Sequence, residues 1–277
     1  MWAMSLPRAD VDPDGLLEYS VVFSDHSLNH MSARFVGVMQ DLLGILRDTY
    51  NAPTAVMVPG GGSYAMEAVA RQLAQGKRCL VLRNGFFSYR WSQILDTGGI
   101  PGEHHVLKAA PDSTDVRAAW SPAPIGQVTA AITRHRPELV FAPHVETASG
   151  ILLSDDYLRQ AIDATHAVGG LFVLDCIASG TLWVDMADLG ADVVISAPQK
   201  GWSGSPCAGY VMFSDAARAA IEASVSSSFA MDLNKWLAIS DGYVRGKHAY
   251  HATVPTDTLQ HNVELMHAAR EQGLDNL

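Results

Sequence analysis

Short runs of apolar residues alternate with helical patterns along most of this chain, and that alternation limits its fold more than any other feature. The runs occupy 55–58, 79–82, 139–142, 171–174, 193–195 and 210–213. Helical spacing follows from Tyr64, from Phe87 and from about Asp155, after an opening amphipathic helix over 32–50 with Phe35, Met39, Leu42 and Leu46 on one face. Strands that are apolar throughout need cover on both faces, and strands separated by helices pair in parallel. The expected class is therefore α/β, a mostly parallel sheet with helices on both faces. The stretches 108–124 and 224–228 read as surface loops rather than domain boundaries, and 257–272 reads as a last helix with Leu259, Val263, Met266 and Ala269 on one face.

Composition narrows the function classes. With 48% hydrophobic residues, 17% charged residues and no apolar stretch long enough to span a bilayer, the chain reads as a soluble globular protein. Its opening residues lack the pattern of a secretory signal, so the cytoplasm is the expected location. Cys79, Cys176 and Cys207 are too scattered for a disulfide framework or a metal site and read as small buried hydrophobes. A net charge of −10 disfavours nucleic acid and points to a small-molecule partner. No metal is expected: His26 and His30 read as a partly exposed pair, and His104 and His105 as loop surface.

In open parallel sheets ligands sit beyond the carboxyl ends of the strands, so the loops after the apolar runs carry the information. After 55–58 comes Pro59-Gly60-Gly61-Gly62-Ser63-Tyr64, a turn whose glycines admit close approach and whose following helix offers free amides to an anion. It lacks the dinucleotide-binding spacing, and a bare tight turn remains the alternative. The run 171–174 ends in Asp175, where a carboxylate needs a partner: a structural donor or a ligand cation. The run 193–195 leads into Ser196-Ala197-Pro198-Gln199-Lys200-Gly201, and Lys200 by itself could be an ordinary solvated lysine.

Taken together these segments resemble the class V, or fold type I, pyridoxal-phosphate enzymes, especially the alanine–glyoxylate and serine–pyruvate aminotransferases, over about 32–277. The most specific elements are Leu174-Asp175 with Ala178-Ser179, and Ser196 through Lys200. The resemblance implies a seven-stranded sheet forming a cofactor-binding large domain over 31–255, an N-terminal arm over 1–30, and at 256–277 the start of the helix leading to a small C-terminal domain absent from this chain. It implies pyridoxal 5'-phosphate as cofactor, Lys200 as the Schiff-base lysine and Asp175 as partner of the pyridine nitrogen. Gly61, Gly62, Ser63 and Gln199 would hold the phosphate, with Glu67 on the helix behind. Phe87, in Asn84-Gly85-Phe86-Phe87, would stack on the ring, and Thr147, in the segment 144–150, would meet the phenolic oxygen. Tyr250 and Thr253 would cross a homodimer interface to the neighbouring subunit's phosphate.

The implied chemistry suits the residue types. A lysine is nucleophilic only when unprotonated, and an anionic Asp175 would keep the ring nitrogen protonated so that the ring accepts electrons. The implied activity is amino transfer from a small amino acid of the alanine or serine type to a 2-oxo acid of the glyoxylate or pyruvate type. The arginine that binds the substrate carboxylate belongs to the absent domain, and Arg83, Arg90 and Arg245 read as surface or structural residues. Alternatives are a catalytically weak or inactive dimeric cofactor-binding domain, or a relative such as a 2-aminoethylphosphonate transaminase. A cysteine desulfurase-like lyase would have histidines where Phe87 and Gln199 stand, and a nicotinamide oxidoreductase leaves Asp175 and Lys200 without roles.

Overall fold

The computed structural model describes residues 18, 19 and 27–277. The N-terminal arm falls mostly outside the described residues, as does His26. Seven strands form the central sheet: β1 (Thr54–Pro59), β2 (Arg78–Arg83), β3 (Glu103–Lys108), β4 (Leu139–Pro143), β5 (Leu171–Asp175), β6 (Val193–Ser196) and β7 (Ala208–Phe213). Their spatial order is β1-β7-β6-β5-β4-β2-β3. Pairings among β3, β2, β4, β5 and β6 are parallel, and β7 runs antiparallel to both β6 and β1. Every residue of β4 and of β7 is buried. Successive side chains of a strand point to opposite faces, so burial of consecutive residues means that both faces are covered.

The cover consists of helices, among them α1 (Ala33–Tyr50), α2 (Gly62–Leu73), α3 (Phe86–Gly98), α4 (Ile125–His135) and α5 (Asp155–Ala167), and later α6 (Met186–Leu189), α7 (Asp215–Glu222), α8 (Leu233–Val244) and α9 (Thr256–Gln272). The expected face of α1 is the buried one: Phe35, Met39, Leu42 and Leu46 are all in the core. Ser32 starts this helix by accepting a hydrogen bond from the Phe35 amide at 3.0 Å, the usual service of a serine at that position. Leu259, Val263 and Met266 of α9 are likewise buried, and His267 and Arg270 reach Asp41 and Asp48 of α1.

Two sequence expectations need correction. His104 and His105 are not loop residues; they lie in the edge strand β3, paired with Cys79 and Leu80. Only Val106 and Leu107 of that strand are apolar, so it shows no continuous hydrophobic run, as suits an edge position. Cys79 and Cys176 are buried, but Cys207 is only half-buried, and its sulfur accepts from Asn262 Nδ2 at 3.3 Å. The stretch 108–124 is largely exposed, with a two-stranded hairpin pairing Ala110 and Pro111 with Ser121 and Trp120.

The close fit of α2 against β7 sets the position of the glycine turn. A Cβ on Gly209 would stand 2.4 Å from Ala65 Cβ and 2.8 Å from the Gly61 carbonyl oxygen, too near for either to accept without moving. Gly209→Ala is therefore expected to lower unfolding free energy by about 1–3 kcal/mol in urea titrations, the usual cost of overpacking. An unchanged midpoint would mean that α2 is free to shift away from the sheet.

Candidate active site

Five loops at carboxyl ends of the sheet strands converge on one cavity of about 160 Å³. The loop after β1 and the first turn of α2 contribute Gly62, Ser63 and Met66; α3, after β2, contributes Phe87 and Arg90. Pro143, Val145 and Thr147 come from β4 and its loop, Asp175, Ile177 and Ala178 from β5 and its loop, and Gln199 and Lys200 from the segment after β6. Thus Gly62, Ser63, Phe87, Thr147, Asp175, Gln199 and Lys200 are brought together, and Gly61 precedes them as the N-cap of α2. Tyr250 and Thr253 are elsewhere, lining a different depression with His30, and Tyr250 is 63% exposed.

Asp175 is the buried acid of the cavity. One carboxylate oxygen accepts from the Ile177 amide at 3.0 Å, and the described residues offer its side chain no other hydrogen bond. Burial pushes its pKa up to about 6, against the lowering effects of the Ile177 amide and the Arg90 charge, with Glu146 adding a smaller upward push. Behind it, His144 donates its backbone N–H to the Asp175 carbonyl at 2.9 Å, and its Nδ1 lies 2.8 Å from Ser179 Oγ. Burial lowers the His144 pKa, so this ring is neutral around pH 7.

Phe87 is held through its backbone. The buried Glu146 carboxylate accepts from the Phe87 amide at 3.1 Å, the Ser88 amide at 2.8 Å and the Ser88 hydroxyl at 2.6 Å. It also accepts from the Ala148 amide at 3.2 Å, next to Thr147. A carboxylate at the start of α3 faces the free amides and the positive end of the helix dipole, which offsets its burial. Glu67, behind the turn, is engaged by Arg71 on its own helix at 2.7 Å.

Sequence reasoning missed Arg90. Expected at the surface or in a structural role, it instead lines the cavity, donates from Nη1 to Ser63 Oγ at 2.9 Å and stands 5.7 Å from the centre of the Phe87 ring. The available signal was its spacing: three positions after Phe87 on one helix, it shares that residue's face. Arg83, by contrast, stacks on Tyr89 outside the cavity, and Arg245 is exposed. Among the described residues no group of three or more His, Cys, Asp or Glu side chains is arranged to hold a metal ion, and no helix is long and apolar enough to cross a membrane.

The strand order, the antiparallel seventh strand and the placement of this cavity define the fold type I architecture of pyridoxal-phosphate transferases. The chain resembles the class V aminotransferases of that group in sequence. It is 28% identical over 199 residues to L-aspartate–glyoxylate aminotransferase of Paracoccus denitrificans (strain Pd 1222), covering 70% of this chain and 47% of that protein. It is 27% identical over 264 residues to alanine–glyoxylate aminotransferase of Felis catus, covering 90% and 58%. The crystal structure of alanine–glyoxylate aminotransferase from Nostoc sp. superposes with a TM-score of 0.77 at 22% identity, covering 90% of this chain and 63% of that one. The chain therefore spans about half the length of the curated relatives it matches. No family model matches it.

The raised pKa of Asp175 gives a signed stability prediction. A carboxyl with a folded pKa near 6 and a reference value of 3.8 is no burden below pH 3.8, and its contribution is lost as pH rises through 6. Above that pH its burial as an anion costs on the order of 3 kcal/mol in the ligand-free protein. Asp175→Asn removes the charge and is expected to be more stable at pH 7.5, with the difference shrinking towards pH 4. Urea unfolding of both proteins at several pH values measures this, and a pH-independent difference would place the carboxyl in a well-solvated setting.

Proposed function

We propose that this chain binds pyridoxal 5'-phosphate and, through it, transfers an amino group from a small amino acid of the alanine or serine type to a 2-oxo acid of the glyoxylate or pyruvate type. The observation that carries this reading is the meeting of Asp175 and Lys200, from separate loops, on one cavity that also has Phe87 in its wall. The names of the relatives support the reaction class.

The residues present fit the cofactor. A Cβ on Gly62 would stand 2.6 Å from Ile177 Cδ1, so the glycine keeps the turn close against the far wall while leaving its backbone open to the cavity. The amides of Gly62 and Ser63, at the start of α2, have no backbone acceptor among the described residues. Gln199 Oε1 is a buried acceptor with no donor, which an N–H or O–H of a polar ligand would satisfy, and the Nε2 group of the same amide is the donor that a phosphate oxygen would use. Met66, Val145 and Ile177 supply an apolar lining for a flat ring.

When bound, the cofactor supplies an electrophilic carbonyl carbon and a protonated ring that takes up the electron pair left as the substrate's α proton departs. Asp175 would pair as an anion with the protonated ring nitrogen, and that attraction would offset the burial that otherwise raises the acid's pKa. Lys200 would offer a primary amine to the cofactor's carbonyl carbon and, when its amine is free, would serve as the base that moves the proton from the substrate's α carbon. Phe87 would stack on the ring and Thr147 would meet its phenolic oxygen, restricting the reacting bond to one orientation. Gly61, Gly62, Ser63 and Gln199 would hold the phosphate. In this reading the protein is a cytoplasmic homodimer in which Tyr250 and Thr253, remote from the cavity of their own chain, reach the partner's phosphate. A domain that binds the cofactor with little turnover is the second reading, which the amino-acid test below separates from the first.

Adding pyridoxal phosphate to the purified protein is expected to produce a visible absorbance band that Lys200→Ala abolishes. An identical band in the variant would remove Lys200 from this role. Excess alanine or serine should then convert the bound aldehyde to the amine form in the wild-type protein, and a band that persists unchanged would favour the non-catalytic reading.

A further inference from the structure

Of the described arginines, Arg90 alone lines this cavity. Arg71, Arg159 and Arg218 each pair with a carboxylate at 2.6–2.9 Å. Arg90, half-buried in the cavity wall, has no carboxylate within ion-pair distance among the described residues, and its hydrogen-bond partner is the neutral hydroxyl of Ser63. A guanidinium carries five N–H donors in a planar fork, so most of its capacity is unused there. Three formally charged side chains line the cavity, the cations Arg90 and Lys200 and the anion Asp175, which leaves an excess positive charge when all are ionised.

The arrangement around Ser63 indicates where that charge is directed. Ser63 Oγ accepts from Arg90, so its own hydroxyl proton is free to donate to another acceptor. The unused amides of Gly62 and Ser63 lie on the same turn. The guanidinium carbon also lies over the Phe87 ring, 5.7 Å from its centre. We propose that Arg90 is an anion-binding residue of this cavity which, with Ser63, grips the phosphate of the bound cofactor. This assignment rests on the pyridoxal-phosphate reading above and adds to it a residue outside the glycine turn. A guanidinium fork matches phosphate oxygens in pairs, and such charge-assisted hydrogen bonds are stronger than neutral ones.

The test uses ligands that cannot bond Lys200 covalently: pyridoxine 5'-phosphate and pyridoxine, titrated calorimetrically into wild-type protein, Arg90→Met and Arg90→Lys. Wild-type protein should prefer the phosphate ester. Arg90→Met should weaken the ester about 10- to 100-fold and leave pyridoxine within about twofold, whereas Arg90→Lys, which keeps a point charge, should fall in between. Thermal melts identify any variant that fails to fold, in which case Arg90→Gln replaces it. If the ratio of the two affinities is the same in the variants as in wild type, the proposal is wrong. An unchanged ratio with slower conversion by amino acid would assign the guanidinium to the substrate carboxylate and equally overturn it. Failure of wild-type protein to bind either ligand would instead overturn the cofactor reading itself.

Discussion

The buried Glu146 carboxylate ties together the parts of the site that the sheet alone cannot align. It accepts from the first turn of α3 and from Ala148 in the loop after β4, so the backbones of Phe87 and Thr147 are referred to one charged group. A Cβ on Gly85 would stand 2.7 Å from Glu146 Cγ, which explains the glycine before α3: any larger residue would push the carboxylate off the helix end. With both oxygens occupied, Glu146 sits at a good anion position and its burial is compensated locally. Remove that anchor and β2 and β4 would still pair, but the two loops would lose their common reference.

Asp175 lies a short distance away under the opposite condition. Its carboxylate is buried with a single amide donor, and its proton affinity rises accordingly. A fold selected only for stability would place a neutral or apolar group at the mouth of β5. Retaining an under-compensated acid beside an exposed lysine and an unpaired guanidinium makes sense if a ligand completes the charge arrangement. The two buried acids thus differ in their hydrogen bonds rather than in their chemical type, Glu146 fully met by donors and Asp175 not.

Much of the sheet was readable because a strand covered on both faces must be apolar at consecutive positions. The runs at β4, β5, β6 and β7 carry that mark, and the ends of α1 and α5 carry their serine caps. The edge strand β3 was not readable, because pairing on one side and partial exposure allow Glu103, His104 and His105 within it. The helix α7 spans only eight residues and α8 is apolar on several sides, so neither shows a repeating stripe, whereas α4 does carry one in Ile125, Val128 and Ile132 beside the exposed segment 108–124. Within the site, the glycine turn, Asp175 and Lys200 could be picked out by their positions after apolar runs, whereas Arg90 offered only its helical spacing from Phe87, a weak mark because an arginine in an amphipathic helix looks like any other exposed cation.

The sequence by itself determined the α/β class, most of the strands, and which loops deserved inspection, because hydrophobic periodicity and turn chemistry are local properties of the chain. Only the tertiary structure decided that five of those loops meet on one cavity, that Glu146 is a helix cap and Asp175 is not, and that Arg90 turns inward beside Ser63. Those outcomes depend on strand order and on the packing of α2 and α3 against the sheet, which bring together residues far apart in sequence and which no local pattern encodes.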